Sequence, residues 1–264
     1  MKIITDLHQH TAFSYDGRQK TEDCVKAAVA AGEKRVCFSE HYDYDCVLRG
    51  INHAPCDLDA YKAEIERLRR IYSDKIEILF GVEFGYDKKA IEKYKELIDK
   101  YRFDYVINSV HLNDEQDYYD TSYCLKEPKS SAYAEYLERV LESVNADFAW
   151  QIVGHIGYPS RYATYADKKL AYADHKELFD EILTTIIRRG KYLELNSSTK
   201  SDSLFLPERE AAERYIKLGG KNFTYGSDSH RPDRRMDKSD EIYDFLHGRG
   251  LHSSYFRRCV PYAD

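Results

Sequence analysis

The chain has 264 residues, 42% of them hydrophobic and 33% charged, with a formal net charge of −6. That is long enough for a full catalytic core and ordinary for a folded globular protein. An acidic balance without basic blocks argues against general binding to nucleic acid or to membrane surfaces, and no apolar run reaches membrane-spanning length or makes a secretory leader. The six cysteines form no C-x-x-C pair and no dense framework, so they read as reduced thiols and the expected location is cytoplasmic.

Residues 2–10 predict a short strand ending in polar groups. Side chains alternate across a strand, so Asp6, His8 and His10 share one side. Alone, H-x-H fits a water-exposed strand end equally well. A loop over 11–20 carries Asp16-Gly17, and a helix over 22–31 follows, with Thr21 as its cap and Gly32 as its stop. The strand at 36–38 ends in Ser39-Glu40-His41, and 42–57 predicts a long loop. A helix over 58–72 has Tyr61, Ile65, Leu68 and Tyr72 on one face. The strand at 76–82 ends at Glu83, and a helix spans 88–102. The strand at 105–110 ends at His111 and leads into an acidic loop with Asp114, Glu115, Asp117 and Asp120. A helix to 144 precedes a strand at 151–154 ending at His155, then a loop with Pro159 and Arg161. Helices over 174–189, 207–218 and 239–248 alternate with strands at 192–195 and 223–226, the last running into Ser227-Asp228-Ser229-His230.

No linker or composition break interrupts this alternation, so one domain over 1–264 is expected. Seven strand–helix units imply a parallel sheet with helices outside, an α/β fold. Ligand-type side chains fall just past strand C-terminal ends throughout the chain: His8 and His10, His41, Glu83, His111, His155, Asp228 and His230. Only a closed or nearly closed, TIM-barrel-like (β/α)7 arrangement brings so many strand ends to one point. Imidazole and carboxylate together suit zinc, iron or manganese. His53, His175, His247 and His252 lie away from these strand ends and read as surface or core histidines, His53 alone being near enough to line the pocket.

These stretches resemble the polymerase and histidinol phosphatase superfamily, shortened to PHP. The resemblance is carried by D-L-H-Q-H at 6–10, S-Y-D-G at 14–17, E-H at 40–41, G-V-E at 81–83, S-V-H at 109–111, G-H at 154–155 and G-S-D-S-H at 226–230. It implies a distorted seven-stranded barrel and two or three divalent metals. It assigns His8, His10, Glu83 and Asp228 to one ion. Glu83 bridges to a second, held by His111 and His155, and a third takes Asp16, His41 and His230. Asp6 reads as support for these ligands.

Such a centre suits hydrolysis of a phosphate monoester by a metal-bridging hydroxide. The resemblance is strongest to standalone histidinol-phosphate phosphatases of histidine biosynthesis. Arg161 is the expected phosphate ligand, Asp228 or a neighbouring His the candidate to protonate the leaving alkoxide, and Glu115, Asp117 and Glu40 candidates for the substrate amine, Glu40 reading equally as support for the ligands. The partner is then a small phosphorylated molecule. Phosphotyrosine or nucleotides remain alternative substrates, and a metal-dependent amidohydrolase is a more distant alternative.

Overall fold

The structure is a computed structural model, and it describes residues 4–46, 50–51, 53–113, 116–200 and 203–264. Six parallel strands form one curled sheet in chain order: β1 (Arg35–Asp43), β2 (Glu77–Gly85), β3 (Tyr105–Ser109), β4 (Ile152–Val153), β5 (Tyr192–Asn196) and β6 (Phe223–Gly226). Sequential order with every neighbour parallel requires a crossover between each pair. The crossovers carry α2 (Leu58–Ile71), α3 (Ile91–Tyr101), α5 (Lys129–Asn145), α6 (Lys176–Arg188) and α7 (Arg209–Lys217). Flanking them are α1 (Thr21–Ala30), a short α4 (Tyr123–Lys126) and α8 (Ser239–His247). Among the described residues no helix is long and apolar enough to cross a membrane.

Six regular strands stand where seven are expected. The difference lies at residues 4–10, which are extended but make only two isolated parallel bridges, Asp6 to Tyr225 and Gln9 to Ser229. This segment bonds both edges of the sheet. Leu7 N–H donates to Tyr225 O at 3.0 Å on the β6 side, and Ser39 N–H donates to Gln9 O at 3.0 Å on the β1 side. Tyr105 crosses the interior beneath it and donates to Leu7 O at 2.7 Å and Phe38 O at 3.0 Å. Its ring takes the space a Cβ would fill at Gly81.

Strand alternation divides the core in two. Val36, Phe38, Ile78 and Phe80 pack outward with the helices, whereas Cys37, Leu79, Tyr105, Ile107 and Ile152 form a smaller inner cluster with Leu7, Tyr255 and Phe256. The last two come from an antiparallel hairpin, β7 (Ser254–Arg257) and β8 (Val260–Ala263), where the sequence predicts only a short extended piece. Asp264 fastens the hairpin, accepting from Thr5 N–H at 2.8 Å and Arg35 at 2.9 Å.

β1 and β2 both run further than expected, through Asp43 and Gly85. His41 and Glu83 therefore lie within strands, directly across from one another in register. Residues 37, 39, 41 and 43 share the inner face, which sends Glu40 the other way.

Candidate metal centre

All nine expected ligand residues meet at the C-terminal end of this sheet, around Glu83. Its Oε2 lies 3.1 Å from His8 Nε2, 3.4 Å from His10 Nε2 and 2.9 Å from His41 Nδ1. Its Oε1 lies 3.2 Å from His111 Nε2 and 3.0 Å from His155 Nε2. Asp228 Oδ1 stands 3.4 Å from His10 Nε2 and 3.7 Å from His8 Nε2. On the outer side Asp16 reaches His230 Nε2 at 3.1 Å and His41 Nε2 at 3.7 Å. Asp16 is the exposed member; His8, His10 and Glu83 are fully buried.

Hydrogen bonding alone does not account for this packing. Buried His8 Nε2, His10 Nε2, His41 Nδ1 and Glu83 Oε2 find no hydrogen-bond partner among the described residues. Imidazole nitrogens also face each other at 3.3 Å, His41 with His230 and His111 with His155. Converging lone pairs that leave each other unsatisfied fit shared cations. Among the described residues four donor groups have ligand atoms within 4.8 Å of one another: His8–His10–Asp228, His8–Glu83–His155, His10–His41–His230 and His41–Asp43–His111.

The charge balance agrees. Burial disfavours ionised Glu83 and Asp228, yet His8 and His111 around the first, and Arg161 and His8 around the second, hold both far below the usual carboxylate range. Burial likewise opposes a charged His8 or His111, but Glu194 and Glu83 beside the first, and Asp43 and Glu83 beside the second, push both well up. A divalent cation supplies the positive charge that these carboxylates otherwise draw from protons.

Asp43 and Glu194 are the functional residues that the sequence reading missed. Glu194 Oε1 accepts from His8 Nδ1 at 2.6 Å, and its Oε2 accepts from His155 N–H at 2.6 Å. Asp43 Oδ1 accepts from His111 Nδ1 at 2.9 Å. Each fixes the tautomer that leaves Nε2 free to face the centre. The signals were present: Asp43 continues the alternation two residues past His41, and Glu194 is a lone carboxylate between Leu193 and Leu195.

The remaining expected residues divide. Arg161 is buried at the centre, with Nη1 2.7 Å from Asp228 Oδ2 and Nη2 2.7 Å from Asn196 Oδ1. Asp117 sits at the rim, where it meets His53 Nε2 at 2.9 Å and Tyr158 OH at 3.4 Å. Of the two roles open to Glu40, the structure favours support over contact with a substrate. Glu40 is fully buried on the outer face of β1 and accepts from Thr11 N–H, Thr11 Oγ1 and Ser14 Oγ, the last two at 2.7 and 2.6 Å. Ser14 in turn contacts His10 Nδ1 and accepts from His41 N–H, so Glu40 braces two ligands instead. Glu115 lies outside the described residues. Asp6 accepts from Ser227 N–H at 2.9 Å and His8 N–H at 3.2 Å, a support as expected. Thr21 lies inside α1, with Lys20 at the cap position.

Residues 6–198 match the PHP domain family. The chain belongs to that family. A histidinol-phosphatase of Lactococcus lactis is 35% identical over 231 residues, covering 85% of this chain and 83% of the relative. The crystal structure of histidinol phosphate phosphatase from Lactococcus lactis, in complex with zinc, L-histidinol and phosphate, superposes with a TM-score of 0.87 at 30% identity, covering 98% of each chain. The α/β curled sheet is therefore the shared PHP fold, and this chain carries a candidate divalent-metal donor set at one end of it.

Proposed function

We propose that the chain is a metal-dependent phosphomonoesterase that hydrolyses L-histidinol phosphate to L-histidinol and phosphate in the cytoplasm. In this reading residues 1–264 form one catalytic unit, and the segment 4–10 serves as the seventh member of the barrel. The observation that carries it is Glu83, one buried carboxylate with five imidazole nitrogens within 3.4 Å. The zinc, L-histidinol and phosphate bound to the Lactococcus lactis relative support the same chemistry here.

His8, His10, Asp16, His41, Glu83, His111, His155, Asp228 and His230 are the proposed ligands, for two or three ions of the zinc, iron or manganese kind. When bound, these supply a lowered pKa for water and positive charge opposite phosphoryl oxygens. Glu83 presents one oxygen to each half of the donor set and so suits a bridging position. Arg161 is the proposed phosphate ligand. Its guanidinium, held between Asp228 and Asn196, keeps a buried Nε–H without a partner among the described residues. Asp228, kept ionised beside Arg161 and His8, holds no proton to give the leaving group, so a neighbouring His is the better candidate for that step. Asp117 at the rim is the proposed contact for the substrate amine.

The test is phosphate release by the zinc-loaded chain from L-histidinol phosphate, phosphotyrosine and nucleoside monophosphates. The expected result is a kcat/KM for L-histidinol phosphate at least about a hundredfold above the others. Preference for a nucleotide or for phosphotyrosine overturns the substrate, and hydrolysis of no phosphate ester overturns the function.

A further inference from the structure

His53 has no place among the ligands, yet it joins the metal centre to the rim. Its Nε2 meets Asp117 Oδ2 at 2.9 Å, and its Nδ1 faces Asp43 Oδ2 at 3.5 Å as an ion-pair contact, neither of these last two atoms having a hydrogen-bond partner among the described residues. The other oxygen of Asp43 holds His111, whose Nε2 faces Glu83 and His155. Four side chains thus run in one line, Asp117–His53–Asp43–His111, from the acidic loop to the centre.

Independent features show that the fold accommodates this line. Gly85 stands directly across from Asp43 in the β1–β2 register. A Cβ there would lie 1.7 Å from Asp43 Oδ1 and 3.2 Å from His111 Nδ1, so glycine makes the room for that contact. Tyr15 covers the line from above, stacked on His53 at 4.2 Å and on His41 at 5.2 Å. Asp117 is fixed from behind by the N–H of Tyr119 at 2.6 Å and by its bridge to Leu112. Two carboxylates this deeply buried need a positive partner. Burial works against charge on His53, but Asp117 and Asp43 outweigh it and its pKa is pushed up to about 11.

We infer that His53 is a positioning residue whose two ring nitrogens do separate jobs: Nδ1 steadies Asp43, and through it His111, while Nε2 holds Asp117 at the rim for the substrate. This rests on the metal-centre reading above and adds to it a coupling between metal affinity and substrate binding.

The two nitrogens can be tested apart. Asn places its amide near the position of Nδ1, and Gln near that of Nε2. His53→Asn and His53→Gln are compared with the unaltered chain by zinc bound per chain in equilibrium dialysis and by steady-state kinetics with L-histidinol phosphate, with circular dichroism confirming the fold. His53→Asn is expected to keep zinc affinity within a few-fold and to raise KM about tenfold. His53→Gln is expected to weaken zinc at one position about tenfold and to leave KM nearly unchanged. Both variants moving both readouts alike, a reversed split, or no change in either would overturn the inference. An unaltered chain that takes up no zinc would instead overturn the metal-centre reading, and this inference with it. A zinc-binding chain without the split overturns the inference alone.

Discussion

Replacing Glu194 with Gln separates ligand orientation from ligation, because Glu194 touches the centre only through other residues. It is buried on β5, with Oε1 2.6 Å from His8 Nδ1, and Oε2 bonded to His155 N–H at 2.6 Å and Asn196 Nδ2 at 3.1 Å. Both oxygens accept, and Gln has only one acceptor. With its NH2 group at the Oε2 position, donors face donors and the His155 N–H is left unsatisfied, a cost of about 1–3 kcal/mol. With NH2 at the Oε1 position, His8 must accept at Nδ1. Its proton then moves to Nε2, which takes the lone pair away from Glu83 and Asp228. Either arrangement weakens the His8 position, and loss of such an orienting partner typically lowers metal affinity about 10- to 100-fold, which is about 1.4–2.8 kcal/mol. The assay is zinc bound per chain across buffered zinc concentrations, with phosphatase activity measured at each. Glu194→Gln is expected to shift the uptake curve to higher zinc and to recover activity when zinc is raised. An unshifted curve, or lost activity that zinc does not restore, would refute the reasoning.

Three further outcomes follow from the same geometry. Burial raises the Asp6 pKa to about 6 against bonds from Ser227 that lower it, so the folded chain holds this proton more tightly than the unfolded chain and stability falls as pH rises between about 4 and 6. Asp6→Asn avoids that loss and should gain up to about 3 kcal/mol on the unaltered chain between pH 4 and pH 7.5; an equal difference at both pH values in denaturant titrations contradicts it. Arg161→Lys keeps a charge beside Asp228 but loses the planar fork, so KM should rise about tenfold with kcat less affected; unchanged kinetics would remove Arg161 from the phosphate site. Chelation should lower Tm by several degrees, reversibly on adding zinc, since ions bound only by the folded chain stabilise it; a Tm indifferent to zinc counts against the centre.

The positions of the proposed ligands are legible because a barrel-like sheet reports them through one repeated signal, a polar group where an apolar strand stops. His41, Glu83, His111, His155 and Asp228 all follow that rule, although two of them prove to be inside strands that run on to Asp43 and Gly85. Strand ends were misplaced because polar inner faces mimic the start of a loop. The same error hid Asp43, which looked like a loop residue, and left Glu40 open between substrate and support when alternation turns it outward to the supporting role. The seventh strand departs from a regular ladder for a different reason. Residues 4–10 have the composition of a strand, but whether two bridges or a continuous ladder form depends on both neighbouring edges, β6 and β1, which lie far away in sequence. The hairpin at 254–263 was illegible because its role is to fill the inner end of the sheet beside Leu7 and Cys37, a space defined only by the finished fold.

Glycines reveal the orienting carboxylates more directly than the carboxylates do. Gly226 is a buried strand residue, and a Cβ there would stand 2.2 Å from Glu194 Oε1 and 2.6 Å from His8 Cβ. Gly85 stands in the same relation to Asp43 and His111. Neither has a positive φ, so the backbone admits alanine at both. Were there no side chain to accommodate, Gly→Ala inside a strand would stabilise by about 0.5–1 kcal/mol. The structure reverses that sign, because the added methyl must displace a carboxylate bonded to a proposed ligand. Gly226→Ala is therefore expected to lower both Tm and zinc affinity while every ligand remains in place, and to resemble Glu194→Gln in its recovery at high zinc. A Gly226→Ala chain that is more stable than its parent and binds zinc equally well would mean that Glu194 does not need this position to hold His8.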